Sequence, residues 1–168
     1  WAAQGFDMVV SVNLSARQLM PPELLADLTR ALQQAGADPT RLEVEITESM
    51  LLGHDPRQLA VLQSIAALGL SIALDDFGTG YSNLAYLQRF PIHTLKIDKT
   101  FIQGSDANRS LAELIVSLCQ LMKLTAVAEG VETEAQLAKL EQIHCDVVQG
   151  YVFSKPVARE EAMRLLSR

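Results

Sequence analysis

The chain has 168 residues, 49% hydrophobic and 20% charged, with a formal net charge of -6, enough apolar material for one sizeable core in one domain. No apolar run approaches the roughly 20 residues needed to cross a membrane, so no membrane contact is expected within it. The acidic balance offers no basic stripe for a polynucleotide backbone, which excludes a nucleic-acid polymer as an expected partner; a small anion held through metal ions fits better.

In chain order, Met8 to Leu14 reads as a strand and Arg17 to Gly36 as a helix, with Leu19, Leu24, Leu25, Leu28 and Leu32 at helical spacing. Leu42 to Thr47 reads as the second strand, and Pro56 to Leu68 as a helix closed by Gly69. Ser71 to Asp75 is the third strand, before a helix from Ser82 to Arg89; Thr94 to Asp98 is the fourth, before a helix from Ser110 to Leu124. Thr125 to Glu129 and a helix from Glu134 to Gln142 follow. Asp146 to Gly150 is the last strand, and Ala158 to Leu166 a closing helix after Pro156. The two cysteines, Cys119 and Cys145, lack metal or redox spacing and read as reduced, buried thiols, which fits a cytoplasmic compartment.

Six strands alternating with helices argue for an α/β fold with a parallel sheet. No glycine-rich phosphate loop follows the first strand, which weighs against an open dinucleotide-type sheet. Strand parity points to a barrel. Ser11 and Asn13, Glu43 and Glu45, Ala73 and Asp75, and Lys96 and Asp98 alternate with Val10, Val44, Leu74 and Ile97. An apolar face can then pack on helices while a polar face lines a barrel interior. An intact barrel takes about eight units, so the chain reads as a truncated (β/α)8 barrel with six of them.

Each strand delivers a polar group to its C-terminal end: Asn13, Glu45 with Glu48 beyond, Asp75 with Asp76, Lys96 with Asp98, Glu129 with Glu132, and Gln149. That end is the functional rim of such barrels. One such group is ordinarily a satisfied structural polar residue, but six successive strands doing so exceeds what capping explains. Carboxylates and an amide without Cys or His form a hard oxygen site suited to Mg²⁺ or Mn²⁺. The three histidines, His54, His93 and His144, fall in loops or helix ends and read as solvated.

The Asp75-Asp76 pair needs a compensating cation, because adjacent like charges repel. In a regular strand the two would face opposite ways, so both can serve the rim only if the strand ends at Asp75 and Asp76 enters a turn that Gly78 permits. One aspartate could then bridge two metals and the other bind the second, an arrangement that activates water and clamps a phosphoryl group.

Asn13-Leu14-Ser15, Glu43-Val44-Glu45-Ile46-Thr47-Glu48-Ser49, Asp75-Asp76-Phe77-Gly78-Thr79-Gly80-Tyr81-Ser82, Leu95-Lys96-Ile97-Asp98, Ala128-Glu129-Gly130-Val131-Glu132 and Gln149-Gly150-Tyr151 closely resemble the EAL-domain family of cyclic di-GMP phosphodiesterases. The resemblance covers essentially the whole chain. It implies a modified (β/α)8 barrel that opens cyclic di-GMP to linear pGpG with Mg²⁺ or Mn²⁺. By motif, it implies Asn13, Glu45 and Asp75 as ligands of a first metal, with Asp75 bridging to a second that Asp76 also binds. Lys96 resembles the lysine that orients the attacking water, and Glu129 the general base or a further metal ligand. Gln149 resembles the amide near the metal-bound phosphate, and Asp98 is carried over to the substrate side. Glu48 would anchor the loop from Phe77 to Asn83, which in the family touches a homodimer interface, and Glu132 would brace the loop near the second metal. For those two a bracing hydrogen bond without a catalytic part is an equal alternative.

The Glu-Ala-Leu signature, whose glutamate supplies a first-metal ligand in the family, has no counterpart before Asn13. The chain is therefore expected to be a partial EAL domain over residues 1–168, weak or inactive alone and completed by upstream sequence or a second copy. The rival functional reading is a catalytically inactive cyclic di-GMP receptor; retention of the other motif residues favours the enzyme.

Overall fold

The computed structural model describes residues 5–6, 8–21, 23–51, 55–78, 84–104 and 106–166. Six parallel strands form one sheet in sequential order: β1 (Val10–Asn13), β2 (Leu42–Thr47), β3 (Ser71–Phe77), β4 (Thr94–Ile97), β5 (Thr125–Ala128) and β6 (Val147–Val148). The sheet curls into a half-barrel. Around it lie α1 (Ala16–Leu19), α2 (Leu24–Ala35), α3 (Glu48–Leu51), α4 (Pro56–Ala67), α5 (Leu84–Arg89), α6 (Lys99–Gln103), α7 (Asp106–Met122), α8 (Glu134–Gln142) and α9 (Arg159–Leu166).

Local signals set these bounds. The Asp55 side chain accepts from the Arg57 amide with Pro56 at the first helical position, which starts α4. Thr133 and Gln136 form a reciprocal capping box at the start of α8. Gly36 takes left-handed angles (φ 57°) and closes α2. The helix expected from Arg17 to Gly36 is instead two helices, because Pro21 has no amide hydrogen for the ladder and its ring opposes the preceding turn. Helix α7 begins a turn earlier than expected, at Asp106. The expected start of α5 at Ser82 lies outside the described residues.

One strand face supplies Val44, Ile46, Ile72, Leu74, Leu95, Ile97, Ala126 and Ala128 to the core, where they join Leu62 and Ile65 of α4, Val116 and Cys119 of α7, and Leu140 of α8. Complete burial of each large aliphatic contributes about 1.5–3 kcal/mol. Packing this face on helices leaves the other face, with its polar residues, to line the concave side. Among the described residues β1 and β6 have no second neighbour and are the sheet's edges.

Candidate active site

Registered neighbours on parallel strands share a face. The pairs Ser11↔Glu43, Asn13↔Glu45, Glu45↔Ala73, Thr47↔Asp75, Ala73↔Thr94 and Lys96↔Val127 place the polar residues of β1 to β4 on the concave side. Its centre is Lys96, 5% exposed. The ammonium lies 2.7 Å from Glu129 Oε1, 2.9 Å from Glu45 Oε1 and 3.5 Å from Asp75 Oδ1. The structure therefore draws Glu45, Asp75, Lys96 and Glu129, which come from four successive strands or strand ends, into one cluster.

Burial pulls the Lys96 pKa down, but the hydrogen bonds its ammonium donates to Glu129 and Glu45 and the charges of Glu129 and Asp75 outweigh it and raise the value above the ordinary lysine range. Glu129 is pushed up by burial, and the charges of Asp75 and Glu45 add to that against the pull of Lys96. Three carboxylates share one ammonium, so the cluster is formally two charges negative. Burial also raises Asp76, reinforced by Asp75 and Asp98.

The Asp75-Asp76 geometry departs from expectation. Strand β3 does not end at Asp75: it continues to Phe77 through an irregularity, since Leu74 pairs with Leu95 but Phe77 with Ile97. The extra residue is absorbed at Asp76, which adopts φ 56°, a left-handed conformation that Asp tolerates better than most residues. Its amide donates to Asp75 Oδ1 at 3.0 Å. The strand end expected at Asp75 is therefore replaced by a register shift between Leu74 and Phe77.

Glu48 opens α3 and is 8% exposed. Its Oε2 accepts from the Gly78 amide at 3.2 Å, and Oε1 is buried with no hydrogen-bond partner among the described residues. Gly78 has φ 93°, and an added Cβ there would stand 2.9 Å from Phe101 Cζ. The remainder of the expected anchored loop, Thr79 to Asn83, lies outside the described residues.

Asp98 caps α6, accepting from the Thr100 amide at 2.9 Å. Burial would raise its pKa, but the bonds from Thr100 and Lys99 and the Lys99 charge hold it below the ordinary value. Glu132 Oε1 accepts from Gln103 Nε2 at 3.1 Å, and the same amide donates to the Gly130 carbonyl at 2.8 Å. Gln103 thus ties α6 to the loop after Glu129. Sequence reasoning missed it because nothing in its own segment marks it. Gln149 is exposed, with its backbone bonded to Ala128 and Val131. Asn13 is exposed at the end of β1. His93 and His144 are exposed, as expected, and His93 Nδ1 accepts from the Ile72 amide at 3.2 Å; His54 lies outside the described residues.

Asn13, Glu45, Asp75 and Asp76 all carry side-chain oxygens on a negatively charged rim, a donor set that fits a hard divalent cation in kind and charge. Among the described residues, no three acidic, His or Cys side chains are gathered so as to hold a metal by themselves. Lys96 instead holds two of the proposed ligands, Glu45 and Asp75. No helix among the described residues is long and apolar enough to cross a membrane.

Fold and rim together define a TIM-type α/β domain whose strand ends carry an acidic, lysine-centred site. The chain belongs to the EAL-domain family, whose pattern matches residues 1–156. It is 43% identical over 161 residues to the cyclic di-GMP phosphodiesterase NbdA of Pseudomonas aeruginosa, covering 92% of this chain and 21% of NbdA. It thus spans about a fifth of the length of the curated relatives it matches. Among solved structures, the PaMucR phosphodiesterase in complex with c-di-GMP superposes with a TM-score of 0.92 at 37% identity, covering 96% of this chain and 67% of that one. A manganese/cy-diGMP complex of Klebsiella pneumoniae BlrP1 gives a TM-score of 0.81 at 30% identity, covering 88% of this chain and 39% of that one.

Proposed function

We propose that this chain forms most of the catalytic rim of a phosphodiesterase that hydrolyses cyclic di-GMP to linear pGpG, with Mg²⁺ or Mn²⁺ as its cations. The observation that carries the reading is the Lys96 cluster: a buried ammonium held at 2.7 and 2.9 Å by carboxylates from both sides, within a rim of net negative charge. Its likeness to the named phosphodiesterases supplies the substrate.

In this mechanism Asn13, Glu45, Asp75 and Asp76 are the residues that would hold the divalent cations. Bound there, the cations supply charge neutralisation at the phosphate and acidify water. Lys96 orients the attacking water. Glu129, whose pKa is raised chiefly by burial, accepts the water proton, as a more basic carboxylate does more readily. The new P–O bond forms as one 3′ P–O bond breaks, and the leaving ribose oxygen takes up a proton. Gln149 and Asp98 contact the nucleotide side, while Glu48 and Glu132 hold the two rim loops.

Asn13 sits on an open sheet edge among the described residues, so we expect the chain alone to turn over weakly or not at all. Residues 1–168 are taken as a partial EAL domain in a cytoplasmic part of the protein, without membrane contact of their own. Leu111, Leu114 and Leu121 are 44%, 64% and 84% exposed on α7, an apolar stripe at helical spacing that suits a homodimer. The test of the catalytic reading is Glu129→Gln in the full-length protein: nucleotide binding by calorimetry is retained while pGpG production falls by at least about 100-fold. Binding without hydrolysis by the unsubstituted protein would establish the receptor reading instead.

A further inference from the structure

A second polar layer lies beneath the rim. Glu43 Oε1 accepts from Ser11 Oγ at 3.0 Å, and Glu43 Oε2 accepts from Thr94 Oγ1 at 2.5 Å. A single carboxylate therefore joins β1, β2 and β4. Its bond to β4 passes over β3, which lies between β2 and β4 in the sheet. The registered β3 neighbour of Thr94 is Ala73, 0% exposed, whose methyl leaves room for the glutamate.

The sequence offsets connect this layer to the chemistry. Ser11, Glu43 and Thr94 each stand two positions before a rim residue on the same strand, namely Asn13, Glu45 and Lys96. In a strand, positions two apart lie on the same face, about 6–7 Å apart. Fixing the relative height of β1, β2 and β4 at the lower layer therefore fixes the relative height of the amide, carboxylate and ammonium above it. The Lys96-to-Glu45 contact of 2.9 Å has little tolerance for a strand shift. Thr94 is 6% exposed, so its hydroxyl would be left unsatisfied inside the protein without Glu43.

We propose that Glu43 is a positioning residue for the reaction: it touches neither substrate nor cation, and through Ser11 and Thr94 it sets the separation of Glu45 and Lys96. The inference rests on the reading of those two residues as part of the reacting rim. It also explains why a second glutamate stands two residues before Glu45, a feature the catalytic roles leave unused.

The test uses Glu43→Ala, Glu43→Gln and the nearly isosteric Thr94→Val, with folding checked by circular dichroism. Crystal structures of the metal-free variants report the Lys96 Nζ to Glu45 Oε1 distance, and calorimetry reports Mn²⁺ affinity. In Glu43→Ala and Thr94→Val the contact opens beyond hydrogen-bond range and Mn²⁺ affinity falls at least tenfold. In Glu43→Gln both stay near the unsubstituted values, because the amide can accept from one hydroxyl and donate to the other. An unmoved Lys96–Glu45 contact in Thr94→Val would overturn the proposal, as would a Glu43→Gln variant as impaired as Glu43→Ala. The distance is read without metal or nucleotide, so a failure of the phosphodiesterase reading would not be confused with a failure of this one.

Discussion

Lys96 Nζ lies 2.7 Å from Glu129 Oε1, the shortest of the three ion-pair contacts it makes across the concave face among the described residues. This one cation holds together carboxylates that would otherwise repel one another. Lys96→Met leaves them uncompensated, and breaking a buried pair in this way costs about 3–5 kcal/mol. Denaturant unfolding with and without Mn²⁺ measures it. Mn²⁺ is expected to restore much of the lost stability by neutralising the carboxylates, while hydrolysis stays abolished because the ammonium that orients water is gone.

The buried thiol of Cys119 gives a pH prediction. Burial pushes its pKa from an ordinary 9.0 up to about 12, with the charges of Asp146 and Cys145 adding to the shift. Because the folded value lies above the unfolded one, the thiol's contribution is full below pH 9.0 and is lost as pH rises towards about 12. Urea unfolding at pH 8 and pH 11 should show a larger alkaline loss for the unsubstituted chain than for Cys119→Ala. Iodoacetamide should leave Cys119 unmodified at pH 8 until the chain unfolds, since the side chain is 0% exposed.

Gly150 is packed directly on backbone. A Cβ there would collide with the carbonyl oxygen and amide nitrogen of Val131, and main chain cannot swing aside as a flexible side chain can. Gly150→Ala should therefore destabilise by about 1–3 kcal/mol. It should also shift Gln149, whose carbonyl accepts from the Val131 amide at 3.2 Å. Thermal unfolding reads the first effect, and a rise in KM for cyclic di-GMP in the full-length protein reads the second.

The exposed α7 stripe gives a prediction about assembly. Leu114→Lys, at a residue 64% exposed, should change the protomer's own unfolding free energy by no more than about 0.5 kcal/mol, as surface changes do. On the homodimer proposed above, light scattering should shift from dimer to monomer. An unchanged dimer would remove α7 from the interface.

Much of this architecture was legible in the sequence. The barrel interior forces polar and apolar residues to alternate, so Glu43-Val44-Glu45 and Ala73-Leu74-Asp75 declare both the strand and its inward face, whereas Asp98, read as part of β4, lies just beyond it and caps α6. Glu45, Asp75, Lys96 and Glu129 stand out in the sequence because each lies in the C-terminal half of an apolar strand or just beyond it. What could not be read depended on contacts between segments. The left-handed angle at Asp76 follows from a register change against β4, and the break after α1 followed from Pro21 though the leucine spacing ran through it. The short helices α3 and α6 carry too few residues for a period. Gln103 acquires meaning only when the Gly130 loop arrives against it, and Glu43 only when Thr94 comes to lie across Ala73.

The most direct measurement is the conversion of cyclic di-GMP to pGpG by the full-length protein with Mn²⁺, comparing the unsubstituted form with Asp75→Asn. Asp75, which we propose as a ligand of the cations, lies 3.5 Å from Lys96, so removing its charge should lower turnover by at least about 100-fold while the fold persists. Undiminished hydrolysis by Asp75→Asn would contradict the assignment of this rim as the phosphodiesterase centre.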